Sequence, residues 1–392
     1  MQERFALPEM PFYWRTKNAP NDIDPELPGR LPFVYAYDGA LGLLIEERSP
    51  ALGSLLERMY RREANVGFLQ EGNNLAKGYG EDFWTFLAGV LQRHRVANIL
   101  EIGCGGCLLL ERLKASGYRV AGIDPSPVAV AAGHARGIEV LQDFFPSPRL
   151  KMAPDLIFHV DVLEHAQDPV GFLRQQREAL RTGALLVVNV PDATQSIELG
   201  DISMTLHQHV NMFSVNSLSR TLRAAGFEVL EIARSGFGKS LYALAANPSP
   251  TISLSEATAP PRGEFARFVA LAERNIEAFQ RAFGAAQEAA ESIGFFMPMR
   301  AFPYLATLGI WQGYRLFDNQ TPWHGRYFDG IDVPVENQAD LFSRPVDHVF
   351  VMSLSFGDEV RAAIAKGAPT TVVTTLAEIL AGAGSAGRTN GS

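Results

Sequence analysis

The sequence predicts an α/β protein: a sheet of five parallel strands closed by an antiparallel final pair, followed by a second, smaller α/β domain. Three observations predict it. From Val96 onward, short apolar runs alternate with helical patterns, the mark of a parallel sheet covered on both faces. The first of these runs ends in a glycine turn and the second in an aspartate. Past Gly263 a long amphipathic pattern leads into a further set of strand-like runs. A chain of 392 residues is also too long for one ordinary core.

Taken in order, the first thirty-odd residues carry Pro8, Pro11, Pro20, Pro25, Pro28 and Pro32 and read as an extended arm with little regular structure. Leu41 to Met59 and Asp82 to His94 have helical apolar spacing. The parallel strands are expected at Val96–Glu101, Tyr118–Ile123, Ile138–Gln142, Asp155–Val162 and Ala184–Val190. Helices are expected at Leu108–Lys114, Ser126–Arg136, Pro169–Arg181 and Ser217–Ala225, with Gly137 as a C-cap. Phe227–Ala233 and Ser240–Ala245 are joined by a short link and form the antiparallel pair.

Pro248 to Gly263 has linker composition. Phe265, Phe268, Val269, Ala272, Ile276, Phe279 and Phe283 recur at helical spacing. Strand-like runs follow at Gly294–Met297, Tyr314–Phe317, His348–Leu354 and Thr370–Thr374. Ala381 to Ser392 reads as a disordered tail. The expected organisation is an N-terminal arm and helical region (1–75), the main domain (76–247), a linker and long helix (248–292), the small α/β domain (293–380) and the tail (381–392).

Composition narrows the function. The net charge is -8, and no Lys/Arg-rich run appears, which argues against a nucleic-acid surface. Met1-Gln2-Glu3-Arg4 lacks the start of a signal peptide and no apolar stretch is long enough to span a bilayer, so no membrane partner and a cytoplasmic location are expected. Cys104 and Cys107 are the two cysteines. Zinc needs four ligands and no second pair exists, so the sequence predicts no metal.

Glu101-Ile102-Gly103-Cys104-Gly105-Gly106-Cys107 is the most informative segment. Glycines after a first strand let the backbone approach a ligand and turn into the next helix. Asp124 ends the second strand about 20 residues on, where a carboxylate can accept ribose hydroxyls. The pair points to an adenosine cofactor. A dinucleotide site wants a third glycine at the helix start, where this chain has Leu108, so NAD is disfavoured. Glu101 also suits a cationic amino acid better than a pyrophosphate.

The acid-x-Gly-x-Gly turn with Asp124 resembles motif I and its partner in class I methyltransferases that use S-adenosylmethionine (SAM). The usual third glycine of that motif is Cys107 here. Val162-Leu163-Glu164-His165-Ala166-Gln167-Asp168-Pro169 is similar to the segment after the fourth strand in many small-molecule members. The resemblance runs from Tyr79 to Asn247 and implies a Rossmann-like methyltransferase domain. It implies that SAM, leaving as S-adenosylhomocysteine, is held by Tyr79, Glu101, Gly103, Cys104, Gly105, Asp124, Pro125, Asp143, Phe144, Asp161 and Val162. Asp143 is expected at the adenine amine, with Phe144 beside it.

An oxygen or carbon acceptor must also lose a proton, which calls for a base near neutral pKa. Of the eight histidines, His94, His134, His324 and His348 lie away from the expected strand ends, and His159 reads as structural. His165 sits just past the fourth strand, on the rim where ligands bind in open α/β sheets. His207 and His209 form an H-x-H pair that no carboxylate pattern completes into a metal site. His165, His209 and His207 are the catalytic candidates.

Leu206-His207-Gln208-His209-Val210-Asn211-Met212-Phe213-Ser214 resembles the active-site segment of three-part sugar-nucleotide C-methyltransferases. Leu206 and Gln208 replace that family's tyrosine and glutamate, while His209 keeps its second histidine. Gly238-Lys239-Ser240-Leu241, Gly294-Phe295-Phe296, Asp318-Asn319 and Gly330-Ile331-Asp332-Val333-Pro334-Val335 are further points of similarity, the last three within its small Rossmann-like third domain. Its cysteine-rich zinc-binding N-terminal domain has no counterpart. The resemblance implies a small polar acceptor such as a nucleotide-linked or otherwise activated sugar, methylated on oxygen or carbon, with homodimerisation open. The competing readings are a natural-product O-methyltransferase with a dimerising C-terminal domain, a non-catalytic SAM- or nucleotide-binding module, and an NAD enzyme.

Overall fold

The computed structural model describes residues 4–12, 16–20, 22, 25–62, 74–237, 239–249 and 259–385. The chain divides into two compact units that interleave in sequence. One comprises Tyr37–Thr194 and His209–Pro261; the other comprises Met1–Ala36, Gln195–Gln208 and Arg262–Ser392. The linear division expected from composition is corrected here. The N-terminal segment shares a unit with the C-terminal region, and a stretch of the expected main domain, 195–208, goes with them.

In the first unit, the described residues form a seven-stranded sheet in the order Glu228–Arg234, Ser240–Ala246, Leu185–Pro191, Leu156–Val160, Asn98–Ile102, Arg119–Asp124, Val140–Gln142. The last five run parallel, and the Ser240–Ala246 strand joins them antiparallel along Leu185–Pro191. Ile99, Leu100, Ile157, Phe158, Leu186 and Val187 are fully buried, as strands covered on both faces require. Asp155 ties one edge of this layout: its Oδ2 accepts the Ala97 and Asn98 N–H groups at 3.0 Å each.

Local signals set the helix starts. Ser126 caps Pro127–Ala135 by accepting the Val128 N–H, and Asp168 caps Pro169–Ala179 by accepting the Gly171 N–H. Ser214 and Ser217 form a reciprocal cap, so the next helix begins at Val215 rather than Ser217. The Leu41–Met59 expectation is corrected to a strand, Leu43–Glu46, and a helix, Pro50–Arg62. Ser49 Oγ accepts the Leu52 N–H and starts the helix at Pro50. The short strand pairs antiparallel with Asn211–Met212, where no strand is expected from sequence.

In the second unit, the N-terminal arm is corrected to a strand, Phe5–Pro11, paired antiparallel with Arg30–Asp38. The prolines are tolerated because Pro8 and Pro32 fall where the register shifts, between the Leu7–Phe33 and Met10–Leu31 pairs. Among the described residues, five parallel strands form a further sheet, ordered Val335–Glu336, Arg315–Phe317, Ile293–Phe296, His348–Val351, Val372–Thr375. The amphipathic helix spans Glu264–Glu288 and buries Phe265, Phe268, Ala272, Phe279 and Phe283. A buried ion pair, Lys17 Nζ to Asp329 at 3.1 Å, fastens the N-terminal segment to this unit. The expected disordered tail is corrected in part: 381–385 finish the helix Leu376–Ser385, and 386–392 lie outside the described residues. Most of the expected linker, 250–258, also lies outside them.

Candidate active site

Every group of this site belongs to the unit that holds the seven-stranded sheet. The turn after Asn98–Ile102 is bound to the neighbouring strand end. Gly103 donates its N–H to the Ile123 carbonyl at 2.8 Å, and Gly105 donates to Asp124 Oδ2 at 3.0 Å. Asp124 Oδ1 accepts the Ser126 N–H at 2.8 Å. Gly103 has φ 72°, and a Cβ there would lie 2.6 Å from Val162 Cγ2, so glycine is required twice over. Cys107 takes φ 61° where the motif usually has glycine. Both thiols join the core under the sheet, and the Cys104 sulfur fills the space left beside Gly122. Cys104 therefore offers a ligand only its backbone.

Glu101 is the unusual member. It is buried, and its Oε2 has no hydrogen-bond partner among the described residues. Burial pushes its pKa well up, and Cys107 and Asp124 add to the shift. Burial also raises Asp124, against the opposing Gly105 and Ser126 N–H groups. An orphaned buried carboxylate needs a compensating donor or cation. A sulfonium amino acid with a ribose meets that need, so the residues fit SAM.

Asp161, just after the Leu156–Val160 strand, sits at φ 53°, a strained position for a residue with a side chain. Its Oδ1 accepts the Tyr79 hydroxyl at 2.8 Å, and Tyr79 Oη in turn accepts from Ser240 Oγ at 3.0 Å and Asn189 Nδ2 at 2.9 Å. Burial lifts Asp161 to about 6, with the Tyr79 hydroxyl opposing. Asn189 and Ser240 were not singled out from sequence, although Ser240 stands in a quoted motif. Asp143 is turned to local partners instead: Ser147 Oγ at 2.7 Å and Arg149 at 3.1 Å hold its carboxyl below the usual range. Phe144 lies under the Arg61 guanidinium, 4.6 Å from its ring centroid. The Pro125 carbonyl lies 3.5 Å from Gln142 Nε2.

Past Val162, the one-turn helix Leu163–His165 turns Glu164 inward and His165 toward the rim. Glu164 Oε1 lies 3.8 Å from His165 Nε2 and 3.9 Å from His209 Nε2. The two imidazoles pack edge to face, 5.0 Å between centroids. Tyr60 Oη meets His165 Nδ1 at 3.0 Å. Asn211 Nδ2 donates to the Ala166 carbonyl at 2.7 Å and the Leu163 carbonyl at 3.2 Å, holding the turn in place. Burial pushes Glu164 well up, and Asp161 adds to the shift. Glu164 thus stands beside His165 and beside His209, one member of the H-x-H pair, and one ligand atom from each falls within 4.8 Å of the others. Tyr60, Glu164 and Asn211 were missed; Glu164 and Asn211 stood in motifs that could have flagged them, and Tyr60 did not.

His207 is also corrected. It is fully buried between Phe12 and Phe33, with Nε2 3.2 Å from the Leu31 carbonyl, and belongs to the other unit. A ring held this way secures the fold. His159 is fully buried too, and burial drops it to about 3.

Residues 72–232 match the family model described as a methyltransferase domain. This segment is a SAM-dependent methyltransferase domain, and SAM is its cofactor. Ubiquinone biosynthesis O-methyltransferase of Azorhizobium caulinodans is 28% identical over 185 residues, covering 43% of this chain and 70% of that protein. The enzyme of that name from a Methylobacterium species is 28% identical over 150 residues, 34% of this chain and 60% of its own length. A tRNA U34 carboxymethyltransferase from Alteromonas mediterranea is 25% identical over 166 residues, 38% of this chain and 50% of that protein. Among solved structures, the N-methyltransferase NodS of Bradyrhizobium japonicum, in complex with S-adenosyl-L-homocysteine, aligns at 20% identity and TM-score 0.39, over 50% of this chain and 99% of that one. Among the described residues no helix is long and apolar enough to cross a membrane.

Proposed function

We propose that this chain transfers the SAM methyl group to a hydroxyl of a small polar acceptor. The observation that carries the reading is the rim trio of Glu164, His165 and His209, whose first two members closely follow Val162, the residue packed against Gly103. SAM supplies an electrophilic methyl group, and the chain's task is alignment and relief of the acceptor's proton. Glu101, the Gly103–Gly105 turn and Asp124 are assigned to hold SAM, with Tyr79 and Asp161 closing the same side. His165 and His209 are assigned to the acceptor hydroxyl, oriented by Glu164 and Tyr60. An oxygen acceptor fits best because a hydroxyl needs one base and no enolate stabiliser, and Leu206 and Gln208, which replace the resembling family's tyrosine and glutamate, are buried in the other unit. The relatives named O-methyltransferases support the same choice.

A nucleotide-linked or activated sugar is the favoured acceptor, on the resemblance of the Leu206–Ser214 segment. Phenolic acceptors rank next, after the ubiquinone enzymes, and tRNA is kept in view by the carboxymethyltransferase. The test is transfer of labelled methyl from SAM to a panel of sugar nucleotides, catechols and tRNA, with product NMR. A new O-methyl on a sugar supports the reading in full. A carbon–carbon methyl, or label confined to tRNA, overturns it.

A further inference from the structure

Glu164 presents a physical problem that the proton-handling reading leaves unsolved. Its carboxylate is 1% exposed, and neither oxygen has a hydrogen-bond partner among the described residues. Burying such a group without partners costs several kcal/mol. The His165 and His209 Nε2 nitrogens lie 3.8 and 3.9 Å from Oε1, beyond hydrogen-bond distance. One ligand atom from each of the three side chains falls within 4.8 Å of the others.

We propose that Glu164, His165 and His209 bind one divalent transition-metal ion, and that this ion acts on the acceptor hydroxyl. Two imidazoles and one carboxylate suit zinc, manganese, iron or cobalt and leave coordination positions for water or a substrate oxygen. Ligand bonds of about 2.1 Å place ligand atoms about 3.0–3.4 Å apart, so the trio, within 4.8 Å as it stands, draws in by about an ångström around an ion. The outer contacts are those a ligand set needs. Tyr60 engages His165 Nδ1, and Asn211 fixes the backbone on both sides of Glu164 and His165. Glu164 and His165 share the one-turn helix after the Leu156–Val160 strand, while His209 comes from another segment, whose Asn211 bonds that turn.

The activating role rests on the methyl-transfer reading; the binding does not. A bound ion lowers the pKa of the acceptor hydroxyl, whose proton passes to bulk water. Methyl transfer then forms the O–C bond and breaks the S–C bond, whose electron pair stays on sulfur.

The full-length chain is stripped with chelator and titrated with Co²⁺ and Mn²⁺, followed by d–d absorption and electron paramagnetic resonance. One ion per chain is expected, with affinity falling at least 100-fold in Glu164→Gln and His209→Ala and about 10–100-fold in Tyr60→Phe, the loss usual for an outer-shell partner. SAM affinity, measured beside it, stays within about twofold and shows that the variants are folded. No uptake by the wild type, or equal uptake by Glu164→Gln, overturns the site. Ion binding in a chain that transfers methyl at full rate with excess chelator overturns the activating role alone. Binding without transfer to any acceptor counts against the methyl-transfer reading and leaves the site standing.

Discussion

The carboxylate of Asp124 holds the N–H of Gly105, nineteen residues earlier, at 3.0 Å, so one strand end shapes the turn that follows its neighbour. The same carboxylate is assigned to the SAM ribose. Asp124→Ala removes both contacts and should weaken SAM binding by about 1–3 kcal/mol, as for lost hydrogen bonds to a charged group. Asp124→Asn keeps one acceptor oxygen and should lose less. Calorimetry with SAM and with NADH checks this; tight NADH binding without SAM binding overturns the cofactor assignment.

Gly103→Ala meets two obstacles: the left-handed φ of 72° and the Val162 methyl at 2.6 Å. The conformational strain alone is about 1–2 kcal/mol. Both the melting temperature and SAM affinity should fall. Val162→Ala in the same chain should restore part of the loss, the steric share, and leave the backbone share. No rescue would show that Val162 does not limit the turn.

His165→Gln and His209→Gln should each lower kcat by about 10²–10⁴-fold with SAM affinity nearly unchanged. His207→Gln should instead lower the melting temperature, because its ring is packed between Phe12 and Phe33. Steady-state kinetics beside thermal melts separate the two behaviours. Full activity in the His165 and His209 double variant removes both from the chemistry.

The cysteine pair should bind no zinc. Both sulfurs are buried in the core, 3.8 Å apart, and the described metal-capable group does not include them. Replacing Cys104 and Cys107 by Ser should leave the metal content of the purified chain unchanged by elemental analysis. Loss of one zinc per chain in that variant would reverse the reading of the turn.

Asp318 gives a pH signature to the C-terminal sheet. Burial raises its pKa to about 6 in the folded chain, against about 4 when unfolded. Between those values the native state holds the extra proton, so stability falls as pH rises through this window and stays lower above it. Asp318→Asn keeps the acceptor for the Gln320 N–H, now received by Asp318 Oδ1 at 2.9 Å. It should flatten the slope between pH 4 and 6 and add about 1–3 kcal/mol at pH 8. Denaturant melts at a series of pH values check it; an unchanged slope rules Asp318 out.

The sequence alone determined the mostly parallel sheet, the glycine turn and the acidic strand end, while its methyltransferase chemistry was implied by resemblance. These are local facts: strand alternation, a left-handed turn that needs glycine and a carboxylate at a fixed offset are written within short windows. Only the tertiary structure decided the rest. It separated His207 from His209, two residues apart, because one is packed among aromatic rings from the N-terminal strands and the other sits beside Glu164. It made a strand of the proline-rich arm by letting Pro8 and Pro32 share a register shift, and it brought His209 to the turn that carries Glu164 and His165. Periodicity reports which face of an element is apolar, but which distant element covers that face depends on packing between segments, and no short window of sequence contains it.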